Sequence, residues 1–431
     1  MLRKKINFIM KVFKFGGASI NSFERIQNLA TILEEYKGEK ILIVISAMGK
    51  MTNALEKVTE AFYSGKKEDA LQLFEKIKQT HLTLLKYAVT QQWEAATNDL
   101  LNVFTEVEWL LHDNPVKDYD YYYDQVVCAG ELLSSTIVSH FLNEEKIPNK
   151  WIDVRDLLRT DDTFREAVID WSVSQQKIEE NILPLFNETD LVITQGFIGC
   201  TNENESTTLG REGSDYTAAV FANILNAESV TIWKDVEGVM NADPKDLHDA
   251  VNIPELSYKE VIEMAYYGAQ VIHPKTIKPL QNKNIPLHVK SFINRHLPGT
   301  VITRKNPHHL PPIIVYKHNQ ALMTFESKDF SFVEGKPANT LYEILEDIKI
   351  KPNVTQNAAI SLYLCMDDVA EKIEKVALEA SEIFDVQLQK NLTLLTIRHY
   401  TDELINKLTE NKTIVLQQKT ANTIQMLMRE N

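Results

Sequence analysis

The sequence predicts an α/β protein, with a largely parallel central sheet sandwiched by helices and a smaller α+β ferredoxin-like region behind it. Three observations predict it. Two strand-like runs near the start, "KVFKF" and "KILIVIS", flank an amphipathic stretch from Ser22 to Tyr36, which is a β-α-β pattern. The apolar residues of those runs are continuous rather than alternating, as suits parallel strands covered on both faces. Beyond the proline-bearing stretch "RKNPHHLPPI" the texture changes to a β-α-β-β-α-β series of short elements.

Taken in order, the stretch from about Thr52 to His112 is rich in Leu, Glu, Lys and Gln with almost no Gly or Pro, and predicts several helices. Another helix is expected from Asp124 to Glu145. "NKWIDV", "DLVITQGF" and "SVTIWKDV" predict strands, and between the last two lie a polar loop and a helix from Tyr216 to Leu225. The α/β character continues through "IPLHVKSF" and "GTVITR". This divides the chain into a domain over 10–304, a linker over 305–313 stiffened by Pro307, Pro311 and Pro312, and a region over 314–431. In that last region "ALMTFES", a helix from Leu341 to Ile348, "AISLYLCM", a helix from Val369 to Ala380, "FDVQLQ" and "LTLLTIRHY" form the series. Little chain remains after it, so a second module there is expected to be abbreviated.

Composition bounds the function. Of 431 residues, 44% are apolar and 25% charged, as in ordinary globular proteins. The formal net charge of −14 disfavours generic binding to nucleic acid or anionic membrane. It leaves room for an anionic small substrate, because a local Lys/Arg cluster outweighs the global field. No apolar run approaches a membrane span, and the basic start "MLRKKINFIM" lacks a signal-peptide core. Cys128, Cys200 and Cys365 are scattered without C-x-x-C spacing. A cytoplasmic protein with reduced thiols is expected.

Chemistry concentrates where strands end. In "KFGGAS", Gly16 and Gly17 let backbone N–H groups approach an anion, and Lys14 supplies a full charge beside them. The competing reading is a tight turn with a snorkelling lysine. "SAMGKMTNAL" places Ser46 and Thr52 after the second strand, where open α/β sheets bind ligands, or else forms an ordinary loop with Thr52 as a helix cap. "CAGELLSS" sets Glu131 at a helix start, able to hold an ammonium group or to satisfy the helix dipole. "TTLGREGSDYTAA" is the most informative. Ser214 and Asp215 alone could cap a helix, but the adjacent Arg211 and two glycines favour a carboxylate fork and an anion site. "WKDVEGVMNADPK" is a turn-rich loop able to wrap a nucleotide, and "GAQVIHPKTIKPL" opens a helix at Pro274, with His273 in a structural place. No metal-ligand spacing stands out. Together these suit a site where phosphates and a small zwitterion meet, the setting of phosphoryl transfer.

In this order "KFGGAS", "SAMGKMTNAL", "GELLSS", "TQGFIG", "LGREGSDYTAA", "KDVEGVMNADPK" and "GAQVIHPKT" resemble the aspartate kinases, members of the amino-acid-kinase fold. The likeness runs from about Lys11 to Arg304, and the C-terminal part resembles their paired ACT domains. The resemblance implies phosphorylation of the β-carboxylate of L-aspartate by ATP with Mg²⁺, the first step toward lysine, threonine, methionine and isoleucine. It implies catalytic roles for Lys14 and Asp215. Ser46, Thr52, Glu131, Arg211 and Ser214 would bind the substrate, Glu131 by its ammonium and Arg211 by its α-carboxylate. Lys14, Gly16, Gly17, Ser19, Lys234, Asp235, Met240, Lys245 and Gln270 would meet ATP. An amino-acid effector at the ACT-like region and a homodimer are further implied. Three departures stand out: Gln270 where the family often has Lys, Lys234 and Met240 for Thr and Tyr in the adenine loop, and Glu212 where many members have Gly. Two alternatives stay open, a kinase of another small carboxylate and an amino-acid sensor of weak catalytic power.

Overall fold

The computed structural model describes residues 9–269 and 271–430. Contacts divide the chain into two compact units. The first comprises 1–239, 252–262 and 271–307, and the second Met240–Val251, Glu263–Gln270 and His308–Asn431.

In the first unit, β1 (Met10–Phe15) leads through a 3₁₀ turn (Gly17–Ile20) into α1 (Phe23–Glu34), capped by the Ser22 hydroxyl, and then β2 (Lys40–Ile45). The helical stretch follows as α2 (Met51–Tyr63), α3 (Lys67–Ala88) and α4 (Trp93–His112). The single helix expected from Asp124 is instead two abutting ones, α5 (Tyr119–Val127) and α6 (Ala129–Glu144). The stretch Tyr119–Glu144 is long and apolar enough to cross a membrane by composition, which corrects the expectation that no run approaches that length. Its apolar window is 89% buried, as befits a central helix of a folded core.

There follow β3 (Asn149–Trp151), α7 (Trp171–Leu185), β4 (Leu191–Gln195) and a small hairpin of β5 (Ile198–Cys200) and β6 (Ser206–Thr208). Next come α8 (Gly213–Leu225), β7 (Ser229–Lys234), β8 (Glu255–Ser257), α9 (Tyr258–Tyr267, of which Glu263–Tyr267 falls in the second unit), α10 (Pro274–Lys283), β9 (Leu287–Ser291) and β10 (Thr300–Thr303). The eight-stranded sheet has the order β3-β4-β2-β1-β7-β9-β10-β8. All its pairs are parallel except β9 with β10. The central strands are buried almost throughout, as their unbroken apolar runs require.

This order has one decisive effect. β4, β2, β1 and β7 are adjacent and parallel, so their carboxyl ends and the loops that follow gather at one edge of the sheet. Beneath that edge Phe15 stacks on Trp233 at 6.1 Å and meets Phe292 edge-on at 6.0 Å, making a rigid floor.

The second unit is built on a six-stranded antiparallel sheet. Its strands are β11 (Ile313–Ser327), β12 (Val354–Asn357), β13 (Ser361–Asp367), β14 (Phe384–Arg398), β15 (Lys412–Lys419) and β16 (Thr423–Glu430), in the order β12-β13-β11-β14-β16-β15. "FDVQLQ" and "LTLLTIRHY", expected as two strands, are one: β14 runs antiparallel to β11 along its length. The polar break between them is absorbed by a register shift, with Asn319 and Asn391 at positive φ, so the ladder resumes on the far side. β12 was not foreseen, being short and at the sheet edge. The helices α11 (Lys336–Asp347) and α12 (Ala370–Ala380) bury Leu341, Leu345, Ile373 and Val376 against Met323 and Phe325.

Among the described residues, the remaining half of the sheet carries α13 (Asp402–Thr409) alone. There Ala242, Leu247 and Ala250, from far earlier in the chain, join Ile314, Leu395, Ile397 and Met426 in one cluster. They supply apolar cover that a second helix would otherwise give.

A local test of these assignments lies at α7. The Asp170 carboxylate accepts from the N–H groups of Ser172 (3.0 Å) and Val173 (3.1 Å), satisfying two of the unpaired donors at the helix start. Asp170→Ala is expected to lower unfolding free energy by about 1 kcal/mol in urea titration, and Asp170→Ser by less.

Candidate active site

Strand alternation explains the lysine inside "KVFKF". Phe13 and Phe15 join the large core cluster with Trp233 and Phe292, so Lys14 points to the opposite face. That is where α8 crosses β1. Lys14 Nζ lies 2.6 Å from Asp215 Oδ1, with 11% and 3% of the two side chains exposed. Asp215 sits in the first turn of α8, where the helix dipole favours a negative charge. Lys234, the last residue of β7, brings a second amine to 3.6 Å from Asp215 Oδ2 and donates to the Val271 carbonyl at 2.9 Å. Burial pushes the Asp215 carboxyl upward, but the attraction of Lys14 and Lys234 outweighs it and holds the group below the usual carboxylate range.

The start of α8 differs from expectation. Neither Ser214 nor Asp215 is the cap, because Glu212 precedes the helix in the left-handed conformation, at φ 53°. A left-handed position suits glycine, the residue the resemblance leads one to expect there. Glu212 is compensated: its carboxylate accepts from the His273 N–H at 2.9 Å. His273 in turn caps α10, its Nδ1 accepting from the Lys275 N–H at 3.2 Å, the structural place expected for it. Ser214 is buried against Gly196, where an added Cβ would stand 2.6 Å from the Ser214 Cβ. Sequence reasoning gave Gly196 no role, although its position just past β4 was the available signal.

The two glycines of "KFGGAS" have separate reasons. A Cβ on Gly17 would lie 2.4 Å from the Ala47 carbonyl oxygen and 3.0 Å from that of Gly49. The Gly17 carbonyl also accepts from the Gly49 N–H at 2.9 Å, so the loops after β1 and β2 are pressed together backbone to backbone. A Cβ on Gly16 would meet only Lys14 Nζ, at 3.6 Å. Gly16 is therefore the glycine that faces the charged centre. Ser19 is buried, its hydroxyl 3.5 Å from the Trp233 carbonyl.

Glu131 lies in the first turn of α6 and is 2% exposed. Its Oε1 accepts from the Ala47 N–H at 3.2 Å, while its Oε2 is buried with no hydrogen-bond partner among the described residues. Burial pushes this carboxyl up to about 8, against smaller lowering effects from the Ala47 and Glu131 N–H groups and Lys14. A buried acceptor without a donor is costly and points to a missing cationic or N–H partner. The Ser134 hydroxyl, one turn on, donates to the Ser46 carbonyl at 2.7 Å and fixes that loop, a contact the sequence did not reveal.

The remaining expected residues are less tightly placed. Lys50, not Thr52, precedes α2, and Thr52 is half-buried in its first turn. Arg211 and Asp235 are exposed on loops. Met240 and Lys245 belong to the second unit, where Lys245 is exposed and its N–H donates to Asp243 at 2.9 Å. Gln270 lies outside the described residues.

Residues 10–291 match the model of the amino acid kinase family. Lysine-sensitive aspartokinase 3 of Escherichia coli is 31% identical over 90% of this chain and 86% of its own length. The chain belongs to the aspartokinases, within the amino acid kinase family. A bifunctional aspartokinase/homoserine dehydrogenase of Arabidopsis thaliana is 28% identical over 89% of this chain, which spans 44% of that longer aspartokinase. The crystal structure of E. coli aspartokinase III in complex with aspartate and ADP superposes with a TM-score of 0.81 at 28% identity, covering 97% of this chain and 96% of the other.

Two outcomes follow from the geometry. Gly17→Ala is expected to cost about 2 kcal/mol of stability by overpacking, whereas Gly16→Ala leaves the urea midpoint near that of the parent. For Glu131, a folded-state value of about 8 against an ordinary 4.5 means the native state holds the proton more tightly. That contribution to stability is complete below the ordinary value and is lost as pH rises through about 8. The neutral variant Glu131→Gln, followed by urea unfolding without ligand, is expected to gain on the parent steadily from about pH 5 to pH 8. A constant difference would contradict it.

Proposed function

We propose that this chain phosphorylates the β-carboxylate of L-aspartate with MgATP, giving 4-phospho-L-aspartate and ADP. The observation that carries this reading is the buried Lys14–Asp215–Lys234 centre next to a buried Glu131 oxygen that lacks a partner. Phosphoryl transfer asks for positioning and neutralisation of charge more than for covalent help from the protein. The aspartate β-carboxylate is already ionised at neutral pH, so no general base is needed. One of its oxygens attacks the γ-phosphorus. The bond from that phosphorus to the bridging oxygen breaks, and its electron pair leaves with ADP.

In this reading Lys14 neutralises the moving phosphoryl group, and Asp215 holds Lys14 in register. Gly16 keeps the approach to the amine open. The α-ammonium of aspartate supplies the donor that Glu131 Oε2 lacks, and Arg211 takes the α-carboxylate. Ser46, Thr52 and Ser214 complete the substrate pocket, with Gly17, Ser19, Lys234 and Asp235 toward the nucleotide. Roles for Met240, Lys245 and Gln270 toward ATP rest on resemblance alone. Mg²⁺ enters as part of the nucleotide substrate. The E. coli structure holds aspartate and ADP together, which supports the same pairing of substrates here. An amino-acid effector at the ferredoxin-like modules, a homodimer and a cytoplasmic location belong to this reading. The E. coli relative is by name lysine-sensitive.

The test is ATP-dependent acyl-phosphate formation, trapped with hydroxylamine, with L-aspartate, L-glutamate and N-acetylglutamate in parallel. Product from L-aspartate alone is expected, and Lys14→Ala is expected to lower kcat at least about 1000-fold. Turnover with another carboxylate would move the substrate assignment. No turnover in folded protein would leave an amino-acid sensor.

A further inference from the structure

Lys234 stands apart from the other lysines of the first unit. We propose that it is a second catalytic cation, acting with Lys14 on the phosphoryl group in flight. The inference rests on the kinase reading above and assigns this residue a role in the chemical step, beyond contact with the nucleotide.

Three observations carry it. The first is position. β7 pairs with β1 in parallel, Ile232 beside Lys14 and Trp233 beside Phe15, so Lys234 emerges at the sheet edge directly after the strand that neighbours Lys14. The second is charge. Asp215 has an amine on each oxygen, Lys14 at 2.6 Å and Lys234 at 3.6 Å. Among the described residues it is the only carboxylate paired with either. With Glu131 nearby held as its neutral acid, one negative charge between two positive ones leaves a surplus of one. Such a surplus suits an anion that arrives, and the charge spread over the equatorial oxygens in phosphoryl transfer is of that kind.

The third is freedom. Lys14 is held close to Asp215, whereas the closest partner of Lys234 is the neutral carbonyl of Val271 at 2.9 Å. An ammonium has three donors, so Lys234 keeps capacity for a ligand while these contacts hold. Its side chain is 25% exposed, against 11% for Lys14. Lys275 is the alternative cation nearby, and its contacts count against it. Its amine donates to the Leu209 carbonyl at 3.0 Å and lies 5.0 Å over the Tyr216 ring, and among the described residues no carboxylate is paired to it.

The experiment uses the full chain in the hydroxylamine assay, with ADP affinity measured by calorimetry. Lys234→Met is expected to lower kcat about 100-fold, with ADP affinity and the KM for L-aspartate each changed less than about fivefold. Lys234→Arg is expected to recover part of the loss, since it restores the charge. Lys275→Met is expected to stay within about threefold of the parent. A merely structural Lys234 would change the urea midpoint without this split between kcat and binding. If Lys234→Met does not fold, Lys234→Gln, which keeps a donor for Val271, is read by the same criterion. A kcat within about threefold of the parent in either variant overturns the proposal, as does a loss confined to KM. A parent with no turnover at all would sink the kinase reading and this one together. An active parent with an equally active Lys234→Met sinks this one alone.

Discussion

The buried contact between Lys14 and Asp215 is the constraint on which the rest of the first unit turns. Each ion pays several kcal/mol of desolvation on leaving water, and the pair is therefore a poor device for stability. It is a good device for position. It holds only if β1 presents its fifth residue toward α8 and if α8 begins within one turn of Asp215. It also lets two amines share a small space. Without the carboxylate, Lys14 and Lys234 would repel each other across a buried gap. The surrounding structure reads as support for this geometry: the aromatic floor of Phe15, Trp233 and Phe292, the left-handed Glu212 tied to His273, and Gly196 giving room to Ser214.

Much of this was legible in the sequence, for identifiable reasons. Unbroken apolar runs such as "KILIVI" have one reading in an α/β chain, and adjacent parallel strands deliver their loops to a common edge. Lys14, Glu131 and Asp215 were legible because charged residues inside apolar or small-residue runs need a reason to be buried. What stayed hidden depends on tertiary packing. The close approach of the first two loops explains Gly17 better than any direct demand of an anion, and no local signal separates it from Gly16. Glu212 was legible only as an added charge, while its role is to bond the start of α10. The orphaned Oε2 of Glu131 and the Ser134 contact to the Ser46 carbonyl depend on where α6 meets the loop after β2.

The second unit shows the limits of local pattern in another way. The polar "QKN" within β14 looks like a turn, yet both β11 and β14 continue through the irregularity. The positive φ of Asn319 and Asn391 accommodates the shift without ending either strand. Two modules thus share a pair of 15-residue strands rather than standing as separate repeats.

The cover over Ile314 and Leu395 has a consequence for how this protein can be taken apart. Ala242, Leu247 and Ala250 belong to that cluster, Arg398 bonds Glu263 at 3.1 Å, and the stem of Lys317 fills the space that a side chain on Gly268 would need. The chain therefore leaves the second unit and re-enters it before settling there. A gene fragment beginning near residue 308 would keep the cover that α13 gives this cluster but lose Ala242, Leu247 and Ala250 from it. Grafting the second unit from a relative has the same difficulty, because its core is encoded in three places.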